Sequence, residues 1–283
     1  MKIYDCFTFY NELDLLELRL AELYSVVDHF VIVEARTTFQ NQPKELFYKN
    51  NALRFAEYAD KIIHVVVDDM PMHSDPWANE RFQRNAILRG LADADPEDIA
   101  IIGDVDEILR PEVIQDLRTT TADVFGFRMP YFNFKFNYML VNHEETYCVW
   151  TVASRVGMFT EPEELRRARW NLNSFPYNFR EGQVQLVEHA GWHFTYFGDD
   201  EWIRNKIRSF AHSELNSEDF LSKIDVNTAI ERGVGFKPND PRPFVRVVLD
   251  DYFPKTIKEN VSKYQDKLVS DAIQHAQDLL PKT

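Results

Sequence analysis

The chain has 283 residues, 45% of them hydrophobic and 14% aromatic, and carries 46 acidic against 32 basic side chains for a net charge of −14. That length supports a sizeable core in one large or two small domains, and the acidic balance argues against a general nucleic-acid binder, which needs clustered Lys and Arg. Two cysteines, Cys6 and Cys148, are too few for a disulfide framework or a cysteine-based zinc site.

The N-terminal stretch MKIYDCFTFY places Asp5 where a signal peptide has its apolar core, and no apolar run reaches the length of a membrane span. The expectation is a soluble, cytoplasmic protein with reduced thiols and at most peripheral membrane contact.

Ile3 to Phe9 reads as a first strand. Asn11 stands as N-cap of an amphipathic helix over 12–25, in which Leu13, Leu16, Leu20 and Leu23 recur at helical spacing. HFVIVE (29–34) is a second strand that ends in Glu34 and a polar loop, residues 51–59 read as helical, and IIHVVV (62–67) is a third strand. Asp75-Pro76 starts a helix, with Asp as cap and Pro at the first position, and Glu80 and Arg84 within it are spaced to pair.

The stretch Ile99–Leu109 organises the rest. An apolar run rich in β-branched residues stops in Asp104, Asp106 and Glu107, and Pro111 opens the next helix. In open α/β sheets, ligands bind beyond the carboxyl ends of strands. Neighbouring carboxylates there raise each other's pKa unless a cation neutralises them. Hard divalent ions take such oxygens together with substrate phosphates, so Asp-x-Asp is a candidate metal and nucleotide-diphosphate site. The plainer alternative is an acidic, solvated turn that favours the following helix dipole.

The alternation of strands and helices over the first 110 residues predicts a largely parallel sheet with right-handed crossovers. Neither a GxGxxG fingerprint nor a GxxxxGK[ST] phosphate loop is present, so a nucleotide here depends on a metal.

Beyond residue 122 the texture becomes alternating and aromatic, as in DVFGFRMPYFNFKFNYMLVN and YCVWTVASRVGMF, which predicts antiparallel strands. EPEELRRARW is a short helix, NLNSFPYNFREG a loop, and VQLVE a strand leading to GWHFTYFG. His193 in that last motif is either a packed core residue or a third metal ligand, since neutral imidazole suits Mn²⁺. Asp199-Asp200-Glu201 caps a helix through about 212, residues 237–243 are the best hinge candidate, and helices are expected near 255–280.

Four stretches carry a resemblance: YDCFTFYNELDLLELRL, the helix with Asn79-Glu80 and Gln83-Arg84, GDVDEI and GWHFTYFG. In this order they resemble glycosyltransferase family 17, the β-1,4-mannosyl-glycoprotein 4-β-N-acetylglucosaminyltransferase family, in a soluble, microbial-type form. IRNKIRSFAHSELN and FPKTIKENVSKYQDKL are also similar.

The resemblance implies an α/β fold of GT-A type, with a Rossmann-like mixed sheet flanked by helices, an antiparallel aromatic-rich second half and C-terminal helices. It implies one domain over 1–283, with a nucleotide-sugar-binding half (1–120), an acceptor-side half (121–236) and a C-terminal helical tail (237–283). It further implies an inverting transfer from a UDP-sugar, with UDP-GlcNAc the first expectation, to a glycan or glycoconjugate hydroxyl with Mn²⁺ or Mg²⁺.

The family's Asp-x-Asp falls on Asp104 and Asp106 and its Gly-Trp-His on Gly191, Trp192 and His193. On this reading Asp104, Asp106 and His193 hold the metal. Phe7, Phe9, Glu34, Arg81, Arg84 and Asp104 contact the donor, an arginine giving a bidentate phosphate contact. Inversion needs one carboxylate base, for which Glu144, Glu145, Glu188, Asp199 and Asp200 are candidates. Rival readings are a non-catalytic or lectin-like relative, a transferase for another sugar such as xylose or glucose, and an aspartyl-phosphate phosphatase. The last would carry its nucleophile after the first strand, where this chain has FTFYNE.

Overall fold

The structure, a computed structural model, describes residues 1–172, 183–237 and 242–281. Its frame is a mixed sheet in the order β11-β7-β6-β8-β4-β1-β2-β3. The strands are β1 (Ile3–Phe9), β2 (His29–Ala35), β3 (Ile62–Val67), β4 (Ile99–Asp104), β5 (Glu107–Leu109), β6 (Val124–Asn133), β7 (Tyr138–Leu140), β8 (Tyr147–Arg155), β9 (Val184–Val187), β10 (Gly191–Thr195) and β11 (Phe244–Arg246).

The first four long strands, β3-β2-β1-β4, are parallel, as the alternating pattern predicts, and β8 then runs antiparallel between β4 and β6. At Phe127/Arg128 the register of β6 against β8 shifts. β6 stays paired with β8 as far as Pro130 and then pairs with β10 and β7, and such bulges bend and re-aim a strand.

Side chains alternate between two cores, the period-2 consequence of strand geometry. Ile3, Phe7, Phe9, Phe30, Ile32, Ile99 and Ile101 join the larger core, which the helix Leu13–Leu23 and the C-terminal segment cover. Tyr4, Cys6, Val31, Val33, Ala100 and Ile102 face the smaller one, under Ala86, Ile87 and Leu165.

The structure differs from the sequence reading in three places. The first helix starts at Leu13 with Glu12, not Asn11, at its N-cap, and the Glu12 carboxylate instead accepts from the Tyr10 and Asn11 backbone N–H groups. The helix from Pro76 stops at Asn85 and a short second one spans Ile87–Gly90. The C-terminal segment is less helical than expected. Its Phe244–Arg246 joins the sheet beside β7, and among the described residues only short helical turns follow. Most of the loop NLNSFPYNFREG and the centre of the 237–243 hinge candidate lie outside the described residues. No helix among the described residues is long and apolar enough to cross a membrane.

Candidate active site

The site is built where β1 and β4 end side by side, Thr8 opposite Asp104. After Asp104 the chain turns and re-enters as β5, which pairs antiparallel with β10, setting Glu107 against His193. The Phe194 N–H also donates to the Asp106 carbonyl, at 2.8 Å. Strand pairing therefore brings His193 to the acidic turn from a point far along the chain. Gly191 permits it: a Cβ there would lie 2.1 Å from the Ile108 carbonyl oxygen.

The three carboxylates of the turn have separate environments. Glu107 is buried; it accepts from the Asp104 N–H at 3.2 Å, the Thr151 hydroxyl at 2.9 Å and the Arg166 guanidinium at 2.5 Å. It braces the turn from inside. Asp104 is held by two guanidinium groups, Arg84 on Oδ1 at 3.0 Å and Arg166 on Oδ2 at 2.9 Å. Burial raises its pKa, but Arg166, Arg84 and Arg169 outweigh that and hold the carboxyl well below the usual carboxylate range. Arg84 also bonds Glu80 at 2.8 Å, as its spacing predicts, and Glu163 at 2.6 Å.

Asp106 faces the other way. Its Oδ2 accepts from the Lys206 ammonium at 3.2 Å, and its Oδ1 stands 3.7 Å from His193 Nε2. Lys206 is shared with Glu12 at 3.4 Å. Burial would lower the Lys206 pKa, but Asp106 and Glu12 raise it on balance, so it stays charged. His193 lies against the Trp150 ring at 4.4 Å and the Tyr131 ring at 5.2 Å. Burial pushes its pKa down more than Asp106, Glu107 and Asp104 push it up, so it is a neutral imidazole at pH 7.

These residues line a cleft of about 330 Å³ together with Phe9, Tyr10, Thr37, Thr38, Lys44 and Glu145. Of the sequence-derived donor residues, Phe9, Arg84 and Asp104 face it. Phe7 lies in the core beneath Arg19, whose guanidinium carbon is 4.4 Å from its ring centroid. Glu34 is buried behind the cleft, accepting from the Tyr48 N–H and facing His64 Nε2 at 3.1 Å. Arg81 is on the outer face of its helix, 3.3 Å from Asp75.

Of the base candidates, Glu145 alone lines this cleft, its Oε2 3.0 Å from Arg242. Glu188 pairs with Arg128 at 3.1 Å. Asp199 caps the helix Asp200–Ser209 and faces a neighbouring cavity. Asp200 accepts from the Val226 N–H at 2.8 Å. Glu144 is exposed one residue before Glu145.

The sequence reading missed Arg19, Arg166, Arg169 and Lys206. Arg19 is fully buried and grips Asp5 at 2.6 and 2.7 Å. It also donates to the Asp104 and Glu107 carbonyls, both at 2.8 Å, and so clamps the backbone of the acidic turn. A signal existed in Arg19 and Lys206, which interrupt apolar stripes between Leu16 and Leu23 and between Ile203 and Ile207.

Among the described residues no group of three or more His, Cys, Asp and Glu side chains forms a metal cage. A smaller set does fit a divalent ion. Asp106 Oδ1 and a neutral His193 face each other, and hard ions accept one or two protein ligands with phosphate oxygens completing the shell. Each Asp104 oxygen already accepts from an arginine, so Asp104 is more engaged than Asp106 Oδ1.

Comparison with known proteins bears on the family of the chain. A model of glycosyltransferase family 17 matches residues 1–241. The β-1,4-mannosyl-glycoprotein 4-β-N-acetylglucosaminyltransferase of Rattus norvegicus is 24% identical over 286 residues, covering 90% of this chain and 52% of that protein. Its Homo sapiens counterpart is 24% identical over 238 residues, covering 77% and 45%. The chain thus spans about half the length of the curated relatives it matches. Among solved structures, S. aureus TarS 1-349 aligns with a TM-score of 0.36 at 12% identity, over 77% of this chain and 66% of that one. A putative glucose-1-phosphate thymidylyltransferase from Bacillus anthracis aligns with the same TM-score at 10% identity, over 68% and 88%. On the family match, which covers well over half of its residues, the chain belongs to glycosyltransferase family 17.

Proposed function

We propose that the chain transfers a sugar from a nucleoside-diphosphate donor, UDP-GlcNAc first among them, to a glycan hydroxyl with inversion, on a GT-A-type scaffold. The observation that carries this is the pairing of Asp106 Oδ1 with the neutral His193 Nε2, 3.7 Å apart in a cleft at the carboxyl ends of parallel strands. Asp106 and His193 would hold Mn²⁺ or Mg²⁺, which when bound supplies Lewis-acid neutralisation of charge on the leaving diphosphate.

The remaining roles belong to the chain itself. Lys206 adds a fixed positive charge beside Asp106, in a buried site where such charge acts strongly. Arg84 and Arg166 fix Asp104, whose partly exposed carboxylate keeps a second lone pair on each oxygen to orient donor hydroxyls. Glu145 is the base: the acceptor oxygen attacks the anomeric carbon, the bond to the diphosphate breaks, and the hydroxyl proton passes to Glu145. Arg242 keeps that carboxylate aimed into the cleft.

The test is turnover of a UDP-sugar panel with Mn²⁺ and mannose-containing glycans by wild type, Asp106→Asn and His193→Gln. Metal-dependent transfer by wild type and its loss in both variants is the expected result. Full turnover in Asp106→Asn would remove the metal-site assignment. Binding of free glycans with no response to any nucleotide would replace the transferase with a lectin-like protein.

A further inference from the structure

Residues 36–44 fold back on themselves at the end of β2, with Thr37 paired to Pro43 and the Lys44 N–H donating to the Arg36 carbonyl at 2.9 Å. This return carries the Lys44 side chain over the Tyr10 ring, Nζ lying 5.1 Å from its centroid, in the wall of the cleft. The Lys44 Nζ is buried and has no hydrogen-bond partner among the described residues.

The carboxylates near it are committed elsewhere. Glu34 is used by the Tyr48 N–H and His64, and Glu12 by the Tyr10 and Asn11 N–H groups and Lys206. Burial pushes the Lys44 ammonium down to about 8, with Glu34 and Glu12 pulling against it. A buried ammonium without an acceptor is costly, and a ligand that supplies one recovers that cost.

The position decides which part of a donor that is. On the transferase reading Asp106, Lys206 and His193 occupy the diphosphate end of the cleft, where β4 ends; Lys44 lines the same cleft with Thr37 and Thr38 in the return that follows β2, and β1 lies between β2 and β4 in the sheet. The Thr37 hydroxyl is likewise buried without a partner. An aromatic ring, a cationic donor and a hydroxyl able to accept complement a planar base with adjacent carbonyl and imide N–H groups. We infer that Lys44 reads the base of the donor nucleotide, its Nζ donating to a ring carbonyl of a uracil-type base. The inference rests on the transferase reading above and assigns it a specificity residue.

Calorimetric binding of uridine, adenosine, UDP and inorganic pyrophosphate to wild type, Lys44→Met and Lys44→Gln tests it. Both variants should lose about tenfold or more in affinity for uridine and for UDP. The wild-type preference for uridine over adenosine should vanish with them, pyrophosphate binding should stay within about twofold, and the unfolding temperature should not fall. Unchanged uridine affinity overturns the inference, whether UDP binding holds or drops with pyrophosphate, since the latter outcome makes Lys44 a phosphate contact. Lower stability with unchanged uridine affinity makes it a structural residue. Wild type that binds neither UDP nor uridine overturns the transferase reading and this inference together, a result that needs no variant to recognise.

Discussion

Arg19 and Asp5 form a buried bidentate pair, at 2.6 and 2.7 Å, and the same guanidinium holds the Asp104 and Glu107 carbonyls from beneath. The charge at the centre of the first helix thus serves the acidic turn as much as the fold. Breaking such a pair leaves an uncompensated buried charge. Arg19→Met should therefore destabilise the protein by about 3–5 kcal/mol in urea unfolding, and adding Asp5→Asn should restore much of the loss. Equal loss in the single and double variants would mean that the backbone clamp, not the pair, carries the energy.

Gly191→Ala places a methyl group against the Ile108 carbonyl, where a Cβ would sit 2.1 Å away. β5 and β10 must separate to accept it, which carries His193 away from Asp106. Overpacking of this kind costs about 1–3 kcal/mol. The expected outcome is a lowered unfolding temperature together with a loss of Mn²⁺ affinity larger than that of an equally destabilised variant remote from the cleft.

Glu145→Gln keeps the shape of the side chain and removes its basicity. If it takes the acceptor proton, kcat should fall by about 10²–10⁴-fold while UDP-sugar affinity changes little. Glu188→Gln, at a carboxylate engaged with Arg128 outside the cleft, should leave kcat near wild type. Steady-state kinetics on the two variants side by side separates a base from a general charge effect.

The C-terminal segment docks on the first helix through two carboxylates. Glu17 takes Lys263 and Arg54, and Glu22 accepts from the Lys255 N–H at 3.0 Å and from the Thr256 N–H and hydroxyl at 3.0 and 2.6 Å. Burial raises the Glu17 pKa, but hydrogen bonds from Lys263 and Arg54 outweigh it and leave it below its ordinary value. A carboxylate depressed by folding stabilises above its unfolded pKa, and that contribution is lost as pH falls through the folded value. Hydrogen exchange of residues 255–264 should therefore be slow at pH 7 and accelerate, beyond the intrinsic pH trend, below about pH 4. In Glu17→Gln it should already be fast at pH 7.

The first half of the chain was legible because its elements obey simple periods. Apolar runs of strand length alternate with helical stretches, and the run from Ile99 ends in carboxylates without ambiguity. Pro76 and Pro111 mark helix starts where expected. Contacts made across the sheet order were not legible. Glu80 and Arg84 could be paired from their spacing, but that Arg84 also reaches Asp104 and Glu163 depends on tertiary packing. Arg166 in EPEELRRARW reads as a solvated helix residue yet has a side chain 2% exposed, and no local pattern announces Asp104 and Glu107 as its partners. The choice among five carboxylates was equally closed to sequence, since helix caps and surface pairs account for Asp199, Asp200 and Glu188 only once the fold is known.

The arginines on Asp104 come from two places, Arg84 ahead of the acidic turn in the chain and Arg166 some sixty residues behind it, and Glu163 joins them by accepting from Arg84. His193 and Lys206 arrive later still. During synthesis, a chain ending near residue 120 would carry the whole acidic motif with most of its counter-charges still unmade. Its carboxylates would repel one another until Arg166, and then His193 and Lys206, had emerged. The motif is therefore not a portable cassette: grafted onto another parallel sheet without the helix at Pro162–Arg167 and the strand at Gly191–Thr195, Asp104-Val105-Asp106 would be an ordinary acidic loop.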